Sequence, residues 1–589
     1  MRGVLGTVGV VAALAALSFG CGGGRSAPRS SVPTADGVTT SVGDWRRGAT
    51  CYEIFVRSFS DSDGDGIGDL RGLTEKLDYI NDGNASTDRD LGARCIWLMP
   101  VNESSSYHGY DATDYYRVER DYGTNDDFKR LVVEAHRRGI AVLVDMVLNH
   151  VSSEHPWFRE ALGGPAAQHR AWFRWATSPP VERGPWGQEV WHKSPLRDEY
   201  YYGVFWHGMP DLDYRTPAVR EEAKRIAAFW LTEMGVDGFR LDAVPYLVEE
   251  PGQQVGSAGT HAFLREYATS LRTIAPDAFT VGEVWDGLDR MLPYYPDQLE
   301  SYFAFDLSDL LIAAVRDGSA QPLLERYSRF QQSVPDARYS TFVRNHDQTR
   351  TFTALGGDVA RAKVAATLLL TLPGLPFVYY GEEVGMTGEK PDERLRTPMQ
   401  WSGAAGAGFT RGTPWEPLQA DWATTSVERQ DRDPASLLNL YRQLIHLRLD
   451  HSALGVGDYM PLTSSNPAVG AYLRRDRDRV VLVVANVGKT AAKDVTLTSP
   501  DAALPPGTYT AERLLQPGGA TTLVVAAERR IRDYVPVTTI APLETWILEL
   551  SKIPGSGKRE AGSGLTPPFD HIPHPSSPIP QTCAPPCRQ

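Results

Sequence analysis

A chain of 589 residues is too long for one small core, and 42% hydrophobic against 23% charged residues describes an ordinary globular protein of several domains. The net charge of −13 argues against nucleic acid as a partner, because a phosphate backbone needs a basic face. An acidic enzyme fits that balance.

The chain opens with Met1-Arg2 and an apolar run over about 4–19, then reads Leu17-Ser18-Phe19-Gly20-Cys21. One basic residue, an apolar segment and a small residue before a cleavage point make an export signal over 1–21. Cys21 resembles the lipidated cysteine of bacterial lipoproteins, although Ser18 stands where those usually carry Leu. A conventional signal cut nearby is the other reading. Residues 22–43, rich in Gly, Ser, Pro and Thr, read as a flexible tether. The expected location is the outer face of a bacterial membrane, with Cys21 the sole membrane contact, or free secretion.

Export implies an oxidising compartment, where cysteines pair. Cys51 and Cys95 each precede an apolar strand-like run, at 52–55 and 96–99, and would stand at equal heights on neighbouring strands. A disulfide is predicted there. Cys583 and Cys587 sit in a Pro-rich tail and either close a small loop or stay as free thiols. Between the first pair, Asp61-Ser62-Asp63-Gly64-Asp65-Gly66-Ile67-Gly68-Asp69 sets carboxylates at alternating positions with glycines for a tight turn, as calcium loops do. Four aspartates would repel a phosphate. The plainer alternative is an acidic turn without an ion.

Through 44–148 and 216–450, short apolar runs alternate with longer amphipathic stretches. The runs predict strands at 52–55, 96–99, 141–147, 236–241, 279–284, 302–305, 340–343 and 377–380. Eight in succession predict the α/β class and a closed parallel (β/α)8 TIM barrel, whose functional groups gather at the C-terminal strand ends. The long interval 149–215, after the third strand, holds Trp157, Trp172, Trp175, Trp186, Trp191 and Trp206 among Pro and Gly. It reads as a loop-rich subdomain inserted where it would shape a site. After 455 the text changes to period-two runs such as Val480-Val481-Leu482-Val483-Val484-Ala485-Asn486, predicting a C-terminal antiparallel β-sandwich over 455–550. The tail at 551–589 is dominated by Pro, Gly and Ser, and order is not expected in it.

The strand ends carry the chemistry. The third run leads into Asp145-Met146-Val147-Leu148-Asn149-His150, the fourth is Gly238-Phe239-Arg240-Leu241-Asp242, the fifth reaches Gly282-Glu283-Val284-Trp285, and the seventh Asn345-His346-Asp347. Arg240 and Asp242, two apart, share a strand face, so the cation would hold the carboxylate ionised. Taken alone, that pair equally suits a buried structural ion pair. Carboxylates, histidines and an arginine at four matching strand ends argue for a site instead. Other signatures are missing: there is no Gly-x-Ser-x-Gly, no His-Glu-x-x-His, and Gly488-Lys489-Thr490 lacks the upstream glycine of a phosphate loop.

On these four motifs, and on Met209-Pro210-Asp211-Leu212-Asp213 in the insert, the chain resembles the α-amylase family of retaining glycoside hydrolases over nearly all of 45–550. The resemblance implies Asp242 as nucleophile, Glu283 as general acid and base, and Asp347 as the third carboxylate, gripping sugar hydroxyls. It implies a sugar subsite from His150, His346 and Arg240, with Tyr107-His108-Gly109-Tyr110 supplying His108 as a hydrogen-bonding group and Tyr110 as a stacking platform. For the acidic loop it implies Ca2+ held by Asp61, Asp63, Asp65, Asp69 and the carbonyl of Ile67. A second calcium at Asn149 is not expected, since Pro245-Tyr246 replaces the Lys-His that usually follows the nucleophile motif.

Retaining cleavage needs one carboxylate to attack and one carboxylic acid to protonate the leaving oxygen, roughly 5 Å apart. Arg240 should keep Asp242 charged, and Glu283, beside Trp285 and other carboxylates, should stay protonated. The implied activity is hydrolysis of α-1,4-glucosidic bonds in starch or maltooligosaccharides by a monomer. Met209 and Tyr107 stand where α-1,6-specific relatives carry Gln and Asp, and so point away from that branch. A trehalose-synthase-like glucosyl transferase stays open, because Asp242-Ala243-Val244-Pro245-Tyr246-Leu247 and Arg396-Thr397-Pro398-Met399-Gln400-Trp401 also resemble that group. So does a non-catalytic carbohydrate-binding lipoprotein, against which stand the three retained carboxylates.

Overall fold

The computed structural model describes residues 44–477 and 479–555. The expectations for the export signal, Cys21, the tether, Cys583, Cys587 and the tail beyond 555 lie outside the described residues. Among the described residues no helix is long and apolar enough to cross a membrane.

Eight parallel strands form one sheet: β1 (Cys51–Ile54), β2 (Cys95–Leu98), β3 (Ala141–Met146), β4 (Gly238–Leu241), β5 (Phe279–Gly282), β6 (Ser301–Tyr302), β7 (Ser340–Phe342) and β8 (Leu375–Tyr379). Their order is β6-β5-β4-β3-β2-β1-β8-β7. The two ends meet through a parallel bridge between Phe303 and Ser340 and a 2.9 Å bond between the Ser301 and Ser340 hydroxyls, closing the barrel. Alternation along each strand sorts the side chains. Ile96, Leu98, Val142, Val144, Phe239 and Leu241 join the core shared with the surrounding helices, whereas Cys95, Trp97, Ala141, Leu143, Phe279 and Val281 fill the interior.

All eight strands differ from the expected spans by one to three residues at an end, and three of the differences have a visible cause. The run at 236–241 pairs only from Gly238, because Asp237 turns its carboxylate to accept from Val142 N at 2.8 Å and to pair with His136 at 2.7 Å. The run at 302–305 yields two paired residues in β6; Phe305 already opens the helix Phe305–Asp317 and packs with Phe303 inside the barrel. The eighth strand starts earlier than 377, at Leu375, where Leu375 N donates to Tyr339 O at 3.0 Å.

The insert forms a small antiparallel sheet from Trp175–Ala176, Trp191–Lys193 and Tyr200–Tyr202, with Val190, Tyr202 and Val204 as its core. Bridges from His150 to Asp211 and from Phe173 to Leu212 tie it down beside the barrel mouth. Beyond the helix Leu437–Asp450, a single seven-stranded antiparallel sheet begins at Asp458, and its strand Thr545–Lys552 runs past the expected end at 550. The run from Val480 to Ala485 is apolar at every position because both faces are covered. Val481, Val483 and Ala485 join the barrel core, and Leu482 and Val484 join a second core closed by the ribbon of Ala492–Lys493 and Thr539–Ile540. The sandwich's second layer is therefore small, and the barrel covers the other face.

Cys51 and Cys95 are direct register partners on β1 and β2 and form a disulfide, with Cα atoms 4.4 Å apart and a sequence separation of 44. Cross-linking a loop of that length restricts the unfolded chain. The Cys51→Ala/Cys95→Ala variant is expected to lose about 2–4 kcal/mol of unfolding free energy, measured by calorimetry under oxidising conditions.

Candidate active site

The site begins with strand register. Asp145 on β3 faces Arg240 on β4, and Arg240 faces Val281 on β5, so the Glu283 that follows β5 lies beside the same guanidinium. Gly238 makes this possible: a Cβ there would come 2.0 Å from Phe279 O, so only glycine lets β4 and β5 approach. The buried Arg240 donates from Nη1 to both Asp145 oxygens at 2.8 and 3.0 Å and to Asp242 Oδ1 at 2.6 Å. Its Nη2 lies 2.9 Å from Glu283 Oε2. Ala243, immediately after Asp242, adopts a left-handed backbone with φ of 46°, and its N–H donates to Glu283 Oε2 at 3.0 Å. A strained non-glycine residue here aims a backbone donor between two carboxylates.

A second charged group stands across the mouth. The ring of His346 is held by Glu53 on β1, at 2.5 Å from Nδ1, while Nε2 lies 2.6 Å from the Tyr110 hydroxyl and 3.0 Å from Asp347 Oδ2. Arg396 donates to Asp347 Oδ1 at 2.9 Å. Tyr110 stacks on the His346 ring, with centroids 5.6 Å apart, and its hydroxyl donates to Asp145 Oδ2 at 3.1 Å. His150 donates from Nε2 to Tyr110 O at 3.0 Å and accepts at Nδ1 from Asn149 at 3.3 Å, so both ring nitrogens meet protein. His108 Nδ1 accepts from Tyr110 N at 3.1 Å.

Asp242, Glu283, Asp347, His108, Tyr110 and His150 all line one cleft of about 610 Å³, with Trp186, Phe205, Met209, Tyr246, Trp285, Asp392 and Arg396. Arg240 and His346 lie beneath, supporting the lining. Neither Glu53 nor Arg396 was given a place in the site by the sequence reading, in which Arg396 entered only through the motif at 396–401. Glu53 left a trace, as a lone carboxylate within the otherwise apolar first strand; Arg396 lies in a loop whose fold no local pattern foretells.

Burial pushes Asp242 up to about 6, against the opposing pull of Arg240 and with Asp145 and Asp347 adding to the rise. Burial also raises Glu283 to about 7, Arg240 again opposing. The expectation that Arg240 keeps Asp242 charged meets an opposing effect: desolvation outweighs the cation's pull, although Asp242 remains mostly ionised at neutrality. Burial would lower His346, but Asp347 and Glu53 raise it to about 9. Burial would likewise raise Asp347, yet His346 and Arg396 hold it well below the usual carboxylate range. Burial lowers His150 to about 4, so it is a neutral donor.

In the acidic loop, carboxylate oxygens of Asp61, Asp63 and Asp65 come within 4.8 Å of one another, close enough to hold one cation. Asp69 stands apart: its carboxylate accepts from Ser62 N at 2.7 Å, the Ser62 hydroxyl at 2.9 Å and Gly72 N at 2.8 Å, capping the helix Leu70–Glu75. At the insert junction, Asn149 Oδ1 and Asp211 Oδ2 accept no hydrogen bond, and Arg174, bonded to Glu249 at 3.1 Å, supplies a cation beside them.

A family model for the α-amylase catalytic domain matches residues 53–457. The chain belongs to the α-amylase family. It is 37% identical over 449 residues to alpha-amylase 3 of Dictyoglomus thermophilum, covering 76% of this chain and 86% of that one. It is 34% identical over 490 residues to trehalose synthase/amylase TreS of Mycolicibacterium smegmatis, covering 73% and 80%. Among solved structures, the alpha-amylase from H. orenii superposes with a TM-score of 0.74 at 38% identity, covering 86% of this chain and 99% of that one. This is a glycoside hydrolase.

A reaction that needs Asp242 ionised and Glu283 protonated loses rate on both sides. Below about 6 Asp242 takes up a proton, and above about 7 Glu283 releases one. The pH profile of kcat/KM is expected to be a narrow bell with its maximum between those values.

Proposed function

We propose that the enzyme hydrolyses α-1,4-glucosidic bonds in starch or maltooligosaccharides with retention of configuration. The observation that carries this reading is the Arg240 guanidinium between Asp242 and Glu283, two buried carboxyl groups with separate proton affinities in one cleft. Asp242 attacks the anomeric carbon as Glu283 Oε–H protonates the departing glycosidic oxygen. A covalent glycosyl ester forms on Asp242 and the leaving sugar departs as an alcohol. Glu283, now ionised, takes a proton from water, whose oxygen attacks the same carbon and releases Asp242. Asp347 lines the cleft where it can bond sugar hydroxyls, held there by the buried His346 imidazolium and Arg396, and Trp285 and Trp186, 52% and 59% exposed, line the same cleft and offer aromatic surface to sugars.

Met209 at the cleft wall, in place of the Gln of α-1,6-specific relatives, supports the α-1,4 preference. A transferase of the trehalose-synthase type is the second reading, because Pro245, Tyr246 and Arg396 from the two motifs shared with that group also line the cleft. It uses the same intermediate and differs in the acceptor. Asp242→Asn is expected to lower kcat by at least about 10³-fold with the thermal transition unchanged. Chromatography of products from starch, maltoheptaose, isomaltose and maltose decides between the readings. Shortened maltooligosaccharides support the amylase, and trehalose from maltose without net hydrolysis overturns it.

We also propose that Asp61, Asp63 and Asp65, with the Ile67 carbonyl, hold Ca2+ and that Asp69 shapes the loop as a cap. Bound there, the ion would offset two of the three negative charges gathered in one turn. The loop already meets the 409–415 segment, through Asp61 N to Phe409 O at 3.0 Å and Trp415 N to Gly66 O at 2.9 Å, so the ion would fix that contact. Chelation is expected to lower the thermal midpoint of the wild type by a few degrees and to leave that of Asp63→Ala unchanged. Calorimetry with and without EGTA reads both.

A further inference from the structure

A second cavity, of about 280 Å³, lies at the opposite end of the barrel. Ala49, Phe279, Ser301 and Leu375, at the starts of β1, β5, β6 and β8, contribute to its lining, with Gly457 from the edge of the C-terminal sheet. Two guanidinium groups form its inner wall. Arg448 comes from the helix Leu437–Asp450 and Arg474 from the strand Val469–Asp476, and each is 1% exposed.

Neither meets a carboxylate among the described residues. Arg448 donates from Nη1 to Leu370 O and Leu372 O, both at 3.0 Å, and from Nη2 to Gly374 O at 2.5 Å. Arg474 donates to Thr371 O at 2.7 Å and, from Nη2, to Gly457 O at 2.9 Å. These acceptors include the last carbonyls of the helix Val359–Thr371, so the pair acts in part as its C-terminal cap. A helix end presents only about half a negative charge, however, and two full positive charges exceed it. Among the described residues, Nε of each arginine has no acceptor.

The rest of the lining does not supply the missing charge. Arg46 and Arg338 add two more cations, Glu300 is engaged by Arg46 at 2.7 Å, and Asp336 is the other carboxylate. Four arginines against two carboxylates leave an excess of positive charge in a chain whose net charge is −13. Burial pushes Arg448 down to about 9, with Arg474 adding to the fall, which is the cost of two uncompensated cations side by side.

We propose that this cavity binds a small oxyanion of the phosphate class, either inorganic phosphate or the phosphate group of a sugar monophosphate, between Arg448 and Arg474. Paired guanidinium N–H groups match phosphate oxygens in geometry and charge. The volume is below the roughly 300–1,000 Å³ of pockets that take drug-sized ligands, which suits a small anion. Because one arginine belongs to the last barrel helix and the other to the C-terminal sheet, the anion pins the seam between them.

The test titrates inorganic phosphate, and in a separate arm glucose 1-phosphate, into the full chain at an ionic strength fixed with sodium chloride. Saturable binding is expected by calorimetry, with a rise in the thermal midpoint of roughly two to three degrees at a hundredfold excess over Kd. Binding of inorganic phosphate alone identifies the free ion as ligand, and binding of the ester identifies a sugar phosphate. Val456, 46% exposed and part of the lining, offers a variant that disturbs no packed group. Val456→Glu brings a carboxylate to the cavity, and is expected to raise the midpoint without phosphate and to abolish the phosphate increment. Arg474→Gln is expected to weaken binding at least tenfold. The proposal fails if neither anion binds saturably beyond chloride, or if Val456→Glu binds as the wild type does.

Discussion

One guanidinium holds the catalytic mouth together. Arg240 sits among Asp145, Asp242 and Glu283 at 2.6–3.0 Å, fully enclosed, and removing any one carboxyl would leave the others with a cation too strongly held or too weakly balanced. Counting outward, three bases, Arg240, His346 and Arg396, face six carboxyl groups, Glu53, Asp145, Asp242, Glu283, Asp347 and Asp392. Burial and the excess of acid push upward the groups held least firmly. Asp347, between His346 and Arg396, is spared. Burial raises both carboxyl groups, Asp242 to about 6 and Glu283 to about 7, so the proton is held more tightly on Glu283. One cation thus touches both carboxyl groups that the proposed reaction uses.

The insert completes the cleft by apolar contact. Trp186 and Phe205 from the insert meet Tyr246, four residues beyond Asp242, with ring centroids at 5.4 and 5.9 Å from it. Tyr246 occupies the position where many relatives carry the histidine of Lys-His, and here it serves an aromatic wall. The same junction carries Arg174, which bonds Glu249 and lies 4.2 Å from the Tyr202 ring centroid. A cation from the chain itself therefore stands beside Asn149 and Asp211. The departure from the family motif has a structural counterpart in how the insert is fastened.

Much of this was legible in the residues because strand ends and strand starts are marked by type. Cysteines before two apolar runs foretold register partners, and carboxylates after four runs foretold a common mouth. What the text hid depends on distance in sequence. Glu53 and His346 are 293 residues apart, and nothing local says that the one orients the other. Desolvation was underestimated for Asp242, because a motif names the charge partner but not the depth at which the pair is buried. The C-terminal run from Val480 to Ala485 was read as an alternating strand, yet it is apolar throughout. Only the presence of the barrel against one face explains why no position needed to be polar.

The two ends of the barrel are electrically opposite and kept apart. Trp97, Leu143, Phe303, Phe342 and Phe377 fill the interior between the carboxylate-rich mouth and the arginine-rich base. Trp97 serves both environments: its ring lies 5.3 Å from the Arg240 guanidinium, while its other neighbours, Phe303 and Phe377, continue the apolar plug. Arg240 is buried beside this layer, where its attraction for Asp242 and Glu283 is weakly screened yet still outweighed by their desolvation. At the base, Arg448 and Arg474 are answered by carbonyl dipoles. Chemistry is thereby concentrated where strands end, and the unanswered positive charge falls where strands begin, at the seam with the C-terminal sheet. The fold can stabilise that seam without altering the proton balance of the catalytic carboxyl groups.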